Sequence, residues 1–184
     1  DSTKDYIIWS AENSLKLLGL DHIDLLLIHR PDYLMDPAEI AEAFEQLRAV
    51  AEIAKQEGEK LPSFFLMPLG NKAMRSARAN FALNFYQCGG FEVINNAGFE
   101  SVDEAIEAFK ANPTQVIVIC SSDEEYMELI QQIGKALKKA GILPKLALAG
   151  HPGDKKEDYG DMGVEEFIYM GCNVYDTLKA YVNL

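Results

Sequence analysis

Apolar positions along this chain switch repeatedly between helical and strand spacing, and the switches mark out alternating helices and strands. Residues 62–96, PSFFLMPLGNKAMRSARANFALNFYQCGGFEVINN, show the pattern most fully. The apolar run FFLM at 64–67 has the length of a buried strand, and a turn through Leu69, Gly70 and Asn71 follows it. Helical spacing then runs from Lys72 to Cys88, Gly89-Gly90 stops it, and 91–94 reads as a second strand. Strand, crossover helix and strand make the βαβ unit of an open parallel sheet. The turn at 69–71 lies at the edge where such sheets hold ligands.

The rest of the chain repeats the alternation. Residues 2–18 open with Ser2 and Asp5 as a cap pair, place Ile7, Ile8, Ala11, Leu15 and Leu18 on one helix face, and stop at Gly19. Trp9 falls off the tightest part of that face and is expected to be partly buried. Residues 23–28, IDLLLI, suit a strand covered on both faces, broken by His29-Arg30-Pro31-Asp32. Asp36-Pro37-Ala38-Glu39 starts a helix to about residue 57, with Gly58 ending it. Ser101-Val102-Asp103-Glu104 caps a helix reaching Ala111, and QVIVIC at 115–120 is the most β-branched strand. Residues 121–125, SSDEE, supply overlapping caps for a helix to Ala140, closed by Gly141. A strand at 146–149, a loop at 150–154, a strand at 166–170 and a helix at 174–181 complete the order. Six strands alternating with helices imply a doubly wound α/β sheet in one domain spanning 1–184. The polar stretch 55–60 is the one internal seam.

Composition narrows the partners. The 184 residues are 48% hydrophobic and 25% charged, with a formal net charge of -12. A surface that negative repels phosphate backbones, which argues against nucleic acid and against an anionic membrane. No apolar run reaches the roughly 18–20 residues of a membrane span, and no basic-then-apolar leader opens the chain, so a cytoplasmic protein is expected. Cys88, Cys120 and Cys172 are odd in number and widely spaced, as expected of reduced thiols with no disulfide or metal role.

Two family resemblances then emerge. Residues 5–47, through SLKLLGLDHIDLLLIHRPD and the acidic-proline helix start, resemble the aldo-keto reductase family, whose fold is a TIM barrel. From about 47 to 184 the chain resembles the C-terminal, cobalamin-binding-type domain of methylmalonyl-CoA mutase, small-subunit version. The segments FFLMPLG, ARANFALNFYQCGGFEVINN, VICSSDEEY, LALAGHPGD and EEFIYMGCNV carry that likeness. It implies a flavodoxin-like sheet of order 2-1-3-4-5, with 23–28 as one extra N-terminal strand. That strand is expected beside 91–94 at the sheet edge, or pairing between molecules in a homodimer. The two families have different folds, the chain opens on Asp1 in place of Met, and the junction falls inside a continuous helical pattern. The reading that follows is an engineered chimera of fragments 1–47 and 48–184, with no catalytic activity and no required partner. The other reading is a degenerate cobalamin-binding domain or structural subunit module related to the mutase.

The resemblances also assign candidate sites. His29 matches the reductase active-site histidine, but the tetrad's Asp, Tyr and Lys and the cofactor's phosphate loops have no match, so NADPH chemistry is not expected. The mutase family carries Asp-x-His-x-x-Gly after its first strand, where the His ligates cobalt and the Asp fixes its tautomer. Here the region reads Leu69-Gly70-Asn71-Lys72-Ala73-Met74, without Asp or His, so cobalamin binding is not expected. His151, in Gly150-His151-Pro152-Gly153, matches the region near the cofactor's nucleotide tail. On geometry, Gly70, Asn71, Lys72, Ser121, Ser122, Gly150 and His151 line a candidate anion or cofactor crevice. Two helix N-termini would point there, with Lys72 and Arg75 adding positive charge. Adventitious phosphate or sulfate would suit such a crevice, and the competing reading is that Ser121 and Ser122 simply cap a helix. Asp154, Glu157 and Asp158 lack ligand spacing and read as solvated surface, and no metal site is expected.

Overall fold

The computed structural model describes residues 61–182, apart from the side chain of Tyr175, together with Trp9, Glu45 and Ala49. Those last three are helical, with Trp9 half-buried and Glu45 and Ala49 exposed. The remainder of the expected helices at 2–18 and 37–57, the extra strand at 23–28, and His29 lie outside the described residues. Contacts divide the chain into two compact units. One comprises Pro62–Leu83 and Glu92–Tyr169; the other comprises Asp1–Leu61, Asn84–Phe91 and Met170–Leu184.

The first unit holds a five-stranded, all-parallel sheet of order β2-β1-β3-β4-β5. Its strands are β1 (Phe64–Pro68), β2 (Val93–Ile94), β3 (Val116–Cys120), β4 (Lys145–Ala149) and β5 (Val164–Ile168). The helices of the described chain are α1 (Lys72–Cys88), α2 (Val102–Ala111), α3 (Tyr126–Ala140), α4 (Lys156–Asp161) and α5 (Val174–Val182), with a 3-10 turn at Gly153–Lys155. This is the flavodoxin-like order. Every residue of FFLMP and VIVIC is buried, which is why these strands read as unbroken apolar runs and not as alternation. Phe65 anchors one layer of the core, stacked on Phe99 at 6.1 Å and edge-on to Phe109 at 5.4 Å. Met67, Ile117, Ile119, Ile130 and Leu148 pack with them. No helix among the described residues is long and apolar enough to cross a membrane.

Three boundaries differ from expectation. β2 keeps two residues of the expected four, because the chain leaves the ladder at once. Phe91 N–H donates back to Tyr86 O at 3.4 Å. Beyond Ile94, the Asn96 side-chain amide donates to Leu66 O at 2.8 Å and Phe99 N–H to Pro68 O at 2.9 Å. β5 begins two residues earlier than expected, directly after Gly163 at φ 96. The register slips between Leu146 and Ala147, and Glu166 lies within 3.8 Å of Lys145 Nζ. α4 occupies a stretch to which the sequence pattern assigns no element; Tyr159, 3% exposed, gives it an anchor, while Asp154, Glu157 and Asp158 are exposed as expected.

The described part of the second unit is aromatic. Tyr86 meets Phe85 at 5.2 Å and Tyr181 at 6.2 Å, and Phe91 meets Tyr181 at 6.1 Å. A Cβ at Gly89 would lie 2.7 Å from the Phe91 ring, so this helix stop also makes room for packing.

Candidate functional site

The C-terminal ends of β1, β3 and β4 bring Gly70, Asn71, Ser121, Ser122, Gly150 and His151 to one edge of the sheet, at the point where strand order reverses. Gly70 takes φ 78, a left-handed conformation natural to glycine. Asn71 then caps α1, its Oδ1 accepting from Ala73 N–H at 3.1 Å and Met74 N–H at 3.2 Å.

The second expected helix N-terminus lies elsewhere. α3 begins at Tyr126, with Glu125 before it in helical conformation and no side-chain cap. Ser121 and Ser122 do not cap it; both hydroxyls donate to Glu125 Oε2, at 2.8 and 2.6 Å. Asn71 N–H reaches both Glu125 oxygens at 3.1 Å, and Ser122 N–H reaches Oε2 at 3.4 Å. The anionic position between the two turns is therefore occupied by the chain's own carboxylate. A Cβ on Gly70 would lie 2.5 Å from Glu125 Oε2, so this close approach requires glycine on both steric and conformational grounds. The Ser122 hydroxyl, the Asn71 N–H and the Ser121 hydroxyl hold the Glu125 pKa down to about 2.

The cations expected to line the crevice are engaged with other groups. Arg75 is buried, 7% exposed; its Nη1 donates to Phe99 O at 2.8 Å and Nη2 to Glu100 Oε1 at 2.9 Å. Lys72 is largely exposed, 3.9 Å from the same Glu100 oxygen. Together they draw the Glu100 carboxyl below its usual range, Arg75 chiefly by hydrogen bonding. Arg78 pairs with Asp123 at 2.9 Å.

Tyr126 binds the neighbouring strand ends together. Its hydroxyl donates to Ala149 O at 2.7 Å and accepts from Ser121 N–H at 3.1 Å. Burial pushes this phenol's pKa up, and does the same to the Cys120 thiol. Gly150 leaves room for this ring, since a Cβ there would lie 3.0 Å from Tyr126 Cε2. His151 is exposed; its Nδ1 accepts from Gly153 N–H at 3.0 Å and its ring meets Tyr169 edge-on at 4.4 Å.

Glu125 and Tyr126 are the residues that sequence reasoning missed as members of this edge. The available signal was two serines placed three and four residues before a glutamate, a spacing that lets one carboxylate take both hydroxyls. The edge offers backbone and hydroxyl donors but no cobalt-ligating side chain in 69–74. Among the described residues, no three His, Cys, Asp or Glu side chains are grouped to hold a metal.

Comparison with known proteins divides the chain. Residues 1–55 match the Aldo/keto reductase family. Oxidoreductase YdhF of Escherichia coli is 56% identical over 50 residues, 27% of this chain and 17% of that protein. The methylmalonyl-CoA mutase small subunit of Porphyromonas gingivalis is 35% identical over 141 residues, 77% of this chain and 22% of that protein. Its counterpart in Streptomyces virginiae is 33% identical over 139 residues, 76% of this chain and 21% of that protein. The chain thus spans about a fifth of the length of these relatives. A crystal structure of a cobalamin-binding protein from Desulfitobacterium hafniense superposes with TM-score 0.52 at 16% identity, covering 96% of this chain and 92% of that one, a likeness of fold. The chain joins a segment similar to aldo/keto reductases to a segment similar to methylmalonyl-CoA mutase small subunits, and the two likenesses fit a chimera.

Proposed function

We propose that this chain is a non-catalytic α/β module, joined by design from its two segments, that binds neither cobalamin nor NADPH and requires no partner. The observation that carries this reading is the Glu125 carboxylate, held by Asn71, Ser121 and Ser122 against Gly70 at the switch-point edge. A corrinoid approaching the turn at 69–74 would meet a fixed negative charge and no imidazole to ligate its cobalt. The single histidine on this edge among the described residues, His151, lies on the loop after β4, with Nδ1 engaged by Gly153. His29 matches one member of the reductase tetrad without the other three, which supports the absence of hydride transfer.

A second reading is favoured by the 35% identity to a mutase small subunit over most of this chain. It makes the module a degenerate cobalamin-binding domain, or a structural subunit that works beside a larger partner. Titration with hydroxocobalamin, followed by absorbance and melting temperature, separates the two. No spectral change and no shift are expected; a rise of several degrees at modest ligand concentration overturns the first reading in favour of the second.

A further inference from the structure

Glu125 makes an unusual set of contacts for a half-buried carboxylate. Its partners are two hydroxyls and two backbone N–H groups, contributed by the β1–α1 turn and the β3–α3 loop. The charged groups around it are engaged elsewhere. From α1, Lys72 and Arg75 pair with Glu100 of the loop before α2, and Arg78 pairs with Asp123. Glu124 is exposed, and His151 on the loop after β4 is bonded to Gly153. The carboxylate's charge is thus met by hydrogen-bond donors and not by a cation.

We infer that the Glu125 carboxylate is an acid-sensitive latch, which ties the β1–α1 turn to the β3–α3 loop and releases them locally when it is protonated. The reason lies in donor and acceptor count. A serine hydroxyl can rotate to accept from a carboxylic acid, but the Asn71 and Ser122 N–H groups cannot reverse, so protonation weakens those contacts. Gly70 permits the approach on one side, and Tyr126, the next residue, fixes the backbone on the other through Ala149. The latch is independent of whether any cofactor binds. Because the folded-state pKa is depressed from 4.5 to about 2, the latch is closed above about pH 4.5 and opens as pH falls through about 2.

The test uses the full chain, isotopically labelled for NMR. Asn71 and Ser122 amide shifts are expected to titrate together with the Glu125 side-chain carboxyl, at a midpoint near 2. The Phe99 amide, bonded to the Pro68 carbonyl, should not follow them and reports any global unfolding. At pH 7, Glu125→Gln should speed exchange of the Asn71 amide by roughly tenfold, since a hydrogen bond to a charged acceptor becomes a weaker one to a neutral amide oxygen, and should abolish the titration. Gly70→Ala should raise the Glu125 midpoint toward 4.5 by displacing the carboxylate. A wild-type Glu125 that titrates at its ordinary value, or an unchanged Asn71 exchange rate in Glu125→Gln, overturns the latch. If the glutamine variant fails to fold, the wild-type titration alone decides.

Discussion

Tyr126 is bonded on both sides of its hydroxyl in the interior, to Ala149 O and to Ser121 N–H. Tyr126→Phe keeps the ring and its packing but leaves a buried carbonyl and a buried N–H without this partner. Its cost is therefore that of unsatisfied groups, about 1–3 kcal/mol, read as a lower denaturant midpoint at constant slope. Arg75 presents the same logic with a charge. Its guanidinium can be buried because Phe99 O and Glu100 receive its donors, and a Cβ on Gly98, at φ 125, would lie 2.6 Å from its Nε. Gly98→Ala is expected to destabilise by roughly 1–3 kcal/mol through backbone strain and displacement of Arg75, visible as a lower melting temperature. These residues illustrate what residue types conceal: Arg75 and Lys72 read as charge for an anion, yet an acidic residue on the α2 approach takes them both.

Among the elements, α2 is the one whose ends were most legible. Ser101 Oγ accepts from Glu104 N–H at 3.2 Å, and the Glu104 carboxylate accepts from Glu100 N–H at 2.9 Å. The closing Asn112 N–H bonds to Ala108 O and Phe109 O. Ser101→Ala should cost about 1 kcal/mol, with Ser101→Asp restoring it, checked by urea unfolding. At the start of α3 the same residue types behave otherwise. Ser121 and Ser122 resemble caps, but their hydroxyls turn to Glu125, because β3 delivers them to the sheet edge beside Asn71. β5 differs from expectation for a related reason: the apolar run after Glu166 pointed to a later start, while pairing with β4 and its register slip set an earlier one.

At the scale of the whole molecule, the parallel sheet puts the C-terminal ends of β1, β3 and β4 together at the point where strand order reverses, the edge at which such sheets hold ligands. What meets there in this chain is internal. A carboxylate, two serines and a tyrosine satisfy one another. The formal charge of -12 is a second molecular property. Self-repulsion on this scale opposes the compact state and is screened by salt over about 10 Å at 0.1 M. The melting temperature at pH 7 should therefore rise between low and moderate sodium chloride; a fall would mean that the screened ion pairs, such as Lys72–Glu100, matter more than the net repulsion.

The sequence alone determined the helix–strand alternation from Phe64 to Ala149, the buried character of FFLM and VIVIC, the α1 limits, the α2 cap and the two family likenesses. Each of these is written in local spacing or in contiguous segments, so residue types suffice to read it. The tertiary structure decided the two-residue length of β2, the earlier start of β5, the role of Arg75, and the place of Glu125. Those depend on which groups the parallel order brings together across the chain: Glu125 lies 54 residues from Asn71. A spacing rule within one segment cannot express that contact, because it exists only once β1 and β3 lie side by side.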